Sequence, residues 1–272
     1  MHVGVSSFAF GWAVRHGTPP LDERGLLAFA QRHGLSVMQL ADNLPAHAMS
    51  ADQLAALVDA ARAATIAIEL GARGLTEAHL ETYLALCGRC GAGLLRFVVD
   101  AGDYEPSAAS LRALLANAVP AIEAAQVTLA LENHDRFTAA DLRRLVEDAG
   151  STSIGICLDT ANSLGAGEGL AAVVGELAPL TVNMHVKDVT ITRPTHQMGF
   201  VVQGCDLGRG KLPIAEAITQ VRAAGRCHSV LLESWMPPGH DHCATVLAER
   251  ASAELGIRVL KRWMGMPRPM DG

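Results

Sequence analysis

The sequence predicts an α/β protein with a single (β/α)8 TIM barrel domain, on three observations. Strand-like and helix-like runs alternate eight times along 272 residues. The apolar runs are short, rich in Val, Ile and Leu, and do not alternate with polar residues, as expected of parallel strands buried on both faces. Four consecutive runs, VTLALEN (127–133), SIGICLDT (153–160), LTVNMHVKD (180–188) and SVLLES (229–234), end in residues that bind metals: Glu132, Asp159, His185 and Glu233. In a parallel barrel the C-terminal strand ends open on one face, so these four side chains can converge.

The first strand is HVGVSS (2–7), followed by the helical pattern LDERGLLAFAQRHG (21–34). LSVMQLAD (35–42) precedes ADQLAALVDAARAA (51–64), and TIAIELG (65–71) precedes TEAHLETYLALCGRCG (76–91). GLLRFVVD (93–100) precedes SAASLRALLANAVPAIEAA (107–125), where Pro120 predicts a kink or a split. The four ligand-bearing strands follow, with helices over 138–150, 168–178, 213–225 and 241–263. Thr76 and Thr138 stand at N-cap positions with acidic residues close behind, and Gly34, Gly91, Gly150 and Gly225 stand where helices stop. No linker or composition break divides the chain, so 1–263 reads as one catalytic domain and MGMPRPMDG (264–272) as an irregular tail. An open doubly wound sheet is the structural alternative, but it would not gather four consecutive strand ends at one point.

With half of its residues hydrophobic, the chain can bury a sizeable core. A net charge of −6 argues against nucleic-acid binding, which needs a basic face. No apolar run reaches the roughly 18 residues of a membrane span. The N-terminus does not read as a signal peptide, and the six cysteines lie mostly in apolar segments, so a cytoplasmic location is expected.

Three carboxylates and an imidazole form an oxygen-rich set suited to one divalent cation, Mn²⁺ foremost, with Mg²⁺, Co²⁺ or Zn²⁺ compatible. Any one of the four could instead cap a helix or pair with an Arg; it is the fourfold repetition that points to a metal. Glu132 and Glu233 belong to the fifth and eighth strands and would approach the ion from different sides. Such a pair suits proton abstraction beside a polarised carbonyl, one Glu removing a proton and the other returning one. Return to the same carbon gives epimerisation; return to its neighbour gives isomerisation.

ALEN with Glu132, ICLDTAN with Asp159, MHVKD with His185, DLGRGKLPI (206–214) and LLESW with Glu233 together resemble the sugar phosphate isomerase/epimerase family with a xylose isomerase-like barrel. The resemblance implies one divalent metal on Glu132, Asp159, His185 and Glu233, with the two glutamates as acid/base residues. It implies a small carbohydrate substrate and is compatible with a homodimer or homotetramer. The expected activity is a metal-dependent isomerase or epimerase of a sugar, sugar acid or sugar phosphate acting through an enediolate. A lyase, either decarboxylase or dehydratase, of a keto sugar acid or polyol derivative is the alternative. Ketose 3-epimerases of the family carry a Glu six residues after the first metal Glu and a His three after the metal Asp; here these are Thr138 and Asn162. Those departures disfavour free-ketohexose epimerisation and leave Asn162 as a substrate contact. The family's endonuclease branch needs further His ligands that the other strand ends lack.

Lys187, two residues beyond His185, keeps inward parity if its strand continues, and so is a substrate contact. Glu69 ends another strand-like run and is assigned the same role, as are Arg193 and His196 in the long connection from 187 to 212, a lid or substrate loop. Asn133 and His134 could support the ligands from behind, and Trp12 and Trp235 could wall the pocket. Cys87 and Cys90 close a helix rather than open one, which speaks against a redox pair.

Overall fold

The computed structural model describes residues 1–265, so most of the tail 264–272 lies outside the described residues. The strands are β1 His2–Ser6, β2 Val37–Leu40, β3 Ala67–Arg73, β4 Leu94–Val98, β5 Thr128–Glu132, β6 Ile154–Asp159, β7 Thr181–Val186, β8 Asp188–Thr192, β9 Val201–Cys205 and β10 Ser229–Leu232. Eight of them close a barrel in the order β1-β10-β7-β6-β5-β4-β3-β2, every neighbouring pair parallel. The helices are α1 Gly11–His16, α2 Glu23–Arg32, α3 Ala51–Ala63, α4 Glu77–Cys90, α5 Ala108–Ala124, α6 Ala139–Asp148, α7 Leu170–Leu177, α8 Ile214–Ala224 and α9 His242–Trp263.

The helix signals act as expected. Thr76 and Thr138 each accept a backbone N–H three residues on, at 3.2 Å, and Asp241 caps α9 in the same way. Gly91 and Gly225 end α4 and α8 with φ of 64° and 81°, a conformation that costs other residues strain. Pro120 neither splits nor ends α5: it sits on an exposed face, where water can satisfy the carbonyl it leaves without a donor.

Two elements depart from the sequence reading. Gly11–His16 folds as a short helix ahead of the expected first one. The long connection after β7 is an antiparallel ribbon, β8 paired with β9 from Asp188↔Cys205 to Thr192↔Val201. Its base is tied down by the buried Asp188, whose carboxylate accepts N–H groups from Gly208, Gly210 and Leu212 at 2.9–3.3 Å.

Packing between the strands and the outer helices supplies one continuous apolar core. The barrel interior is different: a polar layer of Gln39, Glu69, Asn183 and Ser229 is buried across it. A register shift between β6 and β7 sets what lies above that layer. Val182 is the extra residue, and it brings His185 rather than Met184 opposite Asp159. Paired residues share a face, so this bulge points imidazole and carboxylate inward together.

Candidate active site

Glu132, Asp159 and His185 are held within β5, β6 and β7, and Glu233 follows β10 directly; all four are buried. Asp159, His185 and Glu233 present donor atoms within 4.8 Å of one another, and so do Glu132, Cys157 and His185. The predicted ligands therefore meet around His185.

Each carboxylate is aimed by named partners. Glu132 Oε1 accepts from Asn162 Nδ2 at 2.8 Å, while Oε2 lies 3.1 Å from Arg96 Nε and 3.7 Å from His185 Nδ1. Asp159 Oδ1 accepts the backbone N–H groups of Ala161 and Asn162 at 2.8 Å, leaving Oδ2 to the Lys187 ammonium at 2.9 Å. Asn133 clamps the Asp159 backbone, donating to its carbonyl at 3.0 Å and accepting from its N–H at 2.7 Å. Glu233 Oε1 accepts from Ser6 Oγ at 2.9 Å and faces His185 Nδ1 at 3.1 Å; its Oε2 accepts from Lys187 Nζ at 3.1 Å.

The charges are strongly coupled. Burial pushes the Glu132 carboxyl up, but the Arg96 guanidinium and His185 outweigh it and hold the group well below the usual carboxylate range. Burial acts likewise on Glu233, where His185 and Lys187 prevail and lower it. Asp159 is raised, by burial and by the neighbouring Glu132 and Glu233, against the pull of Lys187. Burial would lower the Lys187 ammonium, yet Asp159 and Glu233 raise it overall, so the lysine is charged.

These residues fit a divalent cation. Both ring nitrogens of His185 are buried without a hydrogen bond, and Glu132 Oε2 and Asp159 Oδ2 meet Arg96 and Lys187 as ion pairs only, so a cation would find donor atoms not committed to hydrogen bonds. Cys157 adds no soft ligand: its thiol donates to Asn183 Oδ1 at 3.0 Å, and burial, reinforced by Glu132, raises it well above its ordinary range. The donor set that remains is three carboxylates and an imidazole.

A cavity of about 410 Å³ opens above this cluster, and Arg73, Glu132, Asn162, Lys187, Glu233 and Trp235 are among its lining residues. Lys187 and Asn162, expected as substrate contacts, both line this cavity. Glu69 does not line the cavity; it lies in the polar layer, accepting from Ser229 Oγ at 2.5 Å and from Gln39 and Asn183 at 3.2 Å. Burial pushes its carboxyl up to about 7. Arg193 and His196 are exposed in the β8–β9 connection, outside the cavity lining, and Arg193 stacks over Phe200. Both lie in the connection between the paired strands β8 and β9. Cys87 and Cys90 are buried in α4, their thiols pushed up by burial to about 12 and about 11.

Arg96, Arg73 and Asp42 were missed. Arg96 had a signal, a lone charge inside the apolar run LLRFVV, since a buried guanidinium demands carboxylate partners. Arg73 lies two residues past the expected end of its strand, and only the longer β3 brings it to the mouth.

The family model of the xylose isomerase-like TIM barrel matches residues 3–263, and the chain belongs to that family. Among curated proteins it is similar to a 3-oxo-isoapionate decarboxylase of Pectobacterium atrosepticum, 30% identical over 238 residues that cover 87% of this chain and 86% of the relative. Among solved structures it resembles IOLI protein with a bound zinc atom, with a TM-score of 0.72 at 14% identity, covering 99% of this chain and 100% of the other. It also resembles a D-psicose 3-epimerase of Clostridium cellulolyticum H10, with a TM-score of 0.71 at 15% identity, covering 98% and 99%. At such identities these two structures speak for the fold alone.

Proposed function

We propose that this chain is a divalent-metal-dependent lyase that decarboxylates a 3-oxo sugar acid, with Mn²⁺ as the preferred ion. The observation that carries this reading is the Lys187 ammonium, 2.9 Å from Asp159 and 3.1 Å from Glu233 at the floor of the cavity. Glu132 and Glu233 have both oxygens engaged by cations or hydrogen-bond donors, which makes them better anchors than proton-abstracting bases. Decarboxylation of a 3-oxo acid needs no base at carbon. It needs positive charge near the keto oxygen and a proton donor, and the decarboxylase relative supports the same choice.

Glu132, Asp159, His185 and Glu233 would hold the metal, which when bound supplies Lewis-acid polarisation of the keto oxygen. The bond from the carboxyl carbon to the α-carbon breaks, its electron pair passes into the enolate, and CO2 leaves. Lys187 Nζ gives a proton to the α-carbon and is reprotonated by water. Asn162 keeps Glu132 oriented and offers its remaining N–H to a substrate hydroxyl. Among the described residues no helix is long and apolar enough to cross a membrane. The buried thiols favour a reducing, cytoplasmic setting.

A second reading, isomerase or epimerase, is favoured by one observation. Glu132 and Glu233 come from β5 and β10, with β6 and β7 between them, and both approach His185. The experiment is a panel of 3-oxo sugar acids and of ketoses offered to Mn²⁺-loaded protein, read by CO2 release and by solvent-deuterium uptake. Metal-dependent CO2 release, lost in Lys187→Met while metal binding persists, is the expected result. Deuterium uptake into ketoses with no CO2 from any acid would overturn the lyase in favour of the isomerase.

A further inference from the structure

Three cationic side chains line the cavity, and they are not equally neutralised. Lys187 has two carboxylates at 2.9 and 3.1 Å. Arg96 is 1% exposed and is held by Asp42 and Glu132, each at 3.1 Å, and by the Ala72 carbonyl at 3.2 Å. Arg73 differs: its side chain is 37% exposed, and the nearest carboxylate, Asp42 Oδ2, is 3.5 Å away. Asp42 commits its other oxygen to Arg96.

Arg73 is nevertheless held in place. Its Nη2 lies 3.3 Å from His134 Nε2, and His134 Nδ1 lies 2.6 Å from Asp135 Oδ1. The arrangement is self-consistent if Nδ1 carries the proton to Asp135 and Nε2 accepts from Arg73. One guanidinium edge is thereby anchored and the remaining donors are left for the cavity, the planar fork that matches a carboxylate.

β3 and β7 stand four places apart in a ring of eight strands, so Arg73 at the end of β3 and Lys187 just after β7 face each other across the cavity. A ligand filling that space touches the metal-ligand cluster and Lys187 on one side and Arg73 on the other.

We propose that Arg73, braced by His134 and Asp135, is the residue that recognises the substrate's carboxylate and so selects sugar acids over neutral sugars. This rests on the reading that the substrate is a sugar acid, but not on the lyase chemistry.

The test is equilibrium binding, free of turnover. Aldonates of four to six carbons and the corresponding alditols are titrated into Mn²⁺-loaded wild type, Arg73→Gln and Arg73→Lys, with thermal stability and metal stoichiometry measured alongside. Wild type should bind at least one aldonate about tenfold or more above its alditol, and Arg73→Gln should lose about 10- to 100-fold in aldonate affinity, as expected for a charge-assisted pair. Alditol affinity, melting temperature and metal content should not move, and Arg73→Lys should recover part of the loss. A merely structural role would shift aldonate and alditol alike. Equal affinities in wild type, no aldonate binding, or a preference that survives in Arg73→Gln would each overturn the proposal. Because CO2 release is scored separately, an Arg73-dependent acid preference without decarboxylation would reject the lyase and keep the acid site; the reverse would do the opposite.

Discussion

Arg96 Nε lies 3.1 Å from Glu132 Oε2 in a barrel interior where the two side chains are 1% and 4% exposed. The same guanidinium reaches Asp42 from Nη1, also at 3.1 Å, so one buried cation serves a candidate metal ligand and a residue of the cavity wall. Removing one partner of such a pair leaves uncompensated buried charge. Arg96→Met should therefore cost about 3–5 kcal/mol of stability, read by denaturant unfolding of the metal-free protein. A loss below about 1 kcal/mol, the range of surface pairs, would mean that water reaches Glu132 in place of the guanidinium.

Metal should stabilise the fold by mass action, because the ligands are brought together only in the native barrel. At a free Mn²⁺ concentration of 100 times Kd the gain is about 2.7 kcal/mol. Chelation should accordingly lower the melting temperature of wild type, and Asp159→Asn or His185→Ala should melt at the same temperature with and without Mn²⁺. Either variant keeping the full metal-dependent shift would remove that residue from the ligand set.

Glu69 should impose a pH dependence on stability. Its carboxyl is raised from 4.5 to about 7 by burial, against hydrogen bonds from Ser229 and Gln39. Between those values the native state binds the proton and the unfolded chain does not, so stability falls as pH rises from 4.5 to about 7. The full difference is on the order of 3 kcal/mol. Glu69→Gln should flatten this window, which denaturant midpoints at pH 5 and pH 7.5 with chelator present would register. An unchanged slope in the variant would assign the pH dependence to other groups.

Gly204 lets the ribbon lie against the irregular segment that follows β10 and carries Glu233. A Cβ there would collide with the Trp235 carbonyl and side chain, two residues beyond Glu233. Since the obstacle includes backbone, Gly204→Ala cannot be relieved by one rotamer change. It should lower the melting temperature and weaken metal affinity measured by calorimetry. Wild-type values for both would show that β9 can move off Trp235 freely.

Much of this architecture was legible in the chain because parallel strands covered on both faces leave a compositional trace. VTLALEN, SIGICLDT and SVLLES are apolar until they reach the mouth, where a carboxylate interrupts them. Thr76, Thr138, Gly91 and Gly225 carried the helix ends, since capping is a local hydrogen bond or a local φ. The ribbon was not legible: β8 and β9 form a two-stranded sheet largely open to solvent, so their residues carry no burial pattern that tells strand from loop.

By itself the sequence determined the repeating unit and the four strand ends that carry a carboxylate or an imidazole, because strand burial, helix capping and donor chemistry are local properties. Only the tertiary structure decided which charges meet. It set Arg73 across from Lys187, drew Arg96 between Asp42 and Glu132, and withdrew Glu69 into the layer beneath the cavity. The reason is physical. Contacts across a barrel depend on strand order and register, including the single extra residue at Val182, and residues far apart in the chain become partners only when the ring closes.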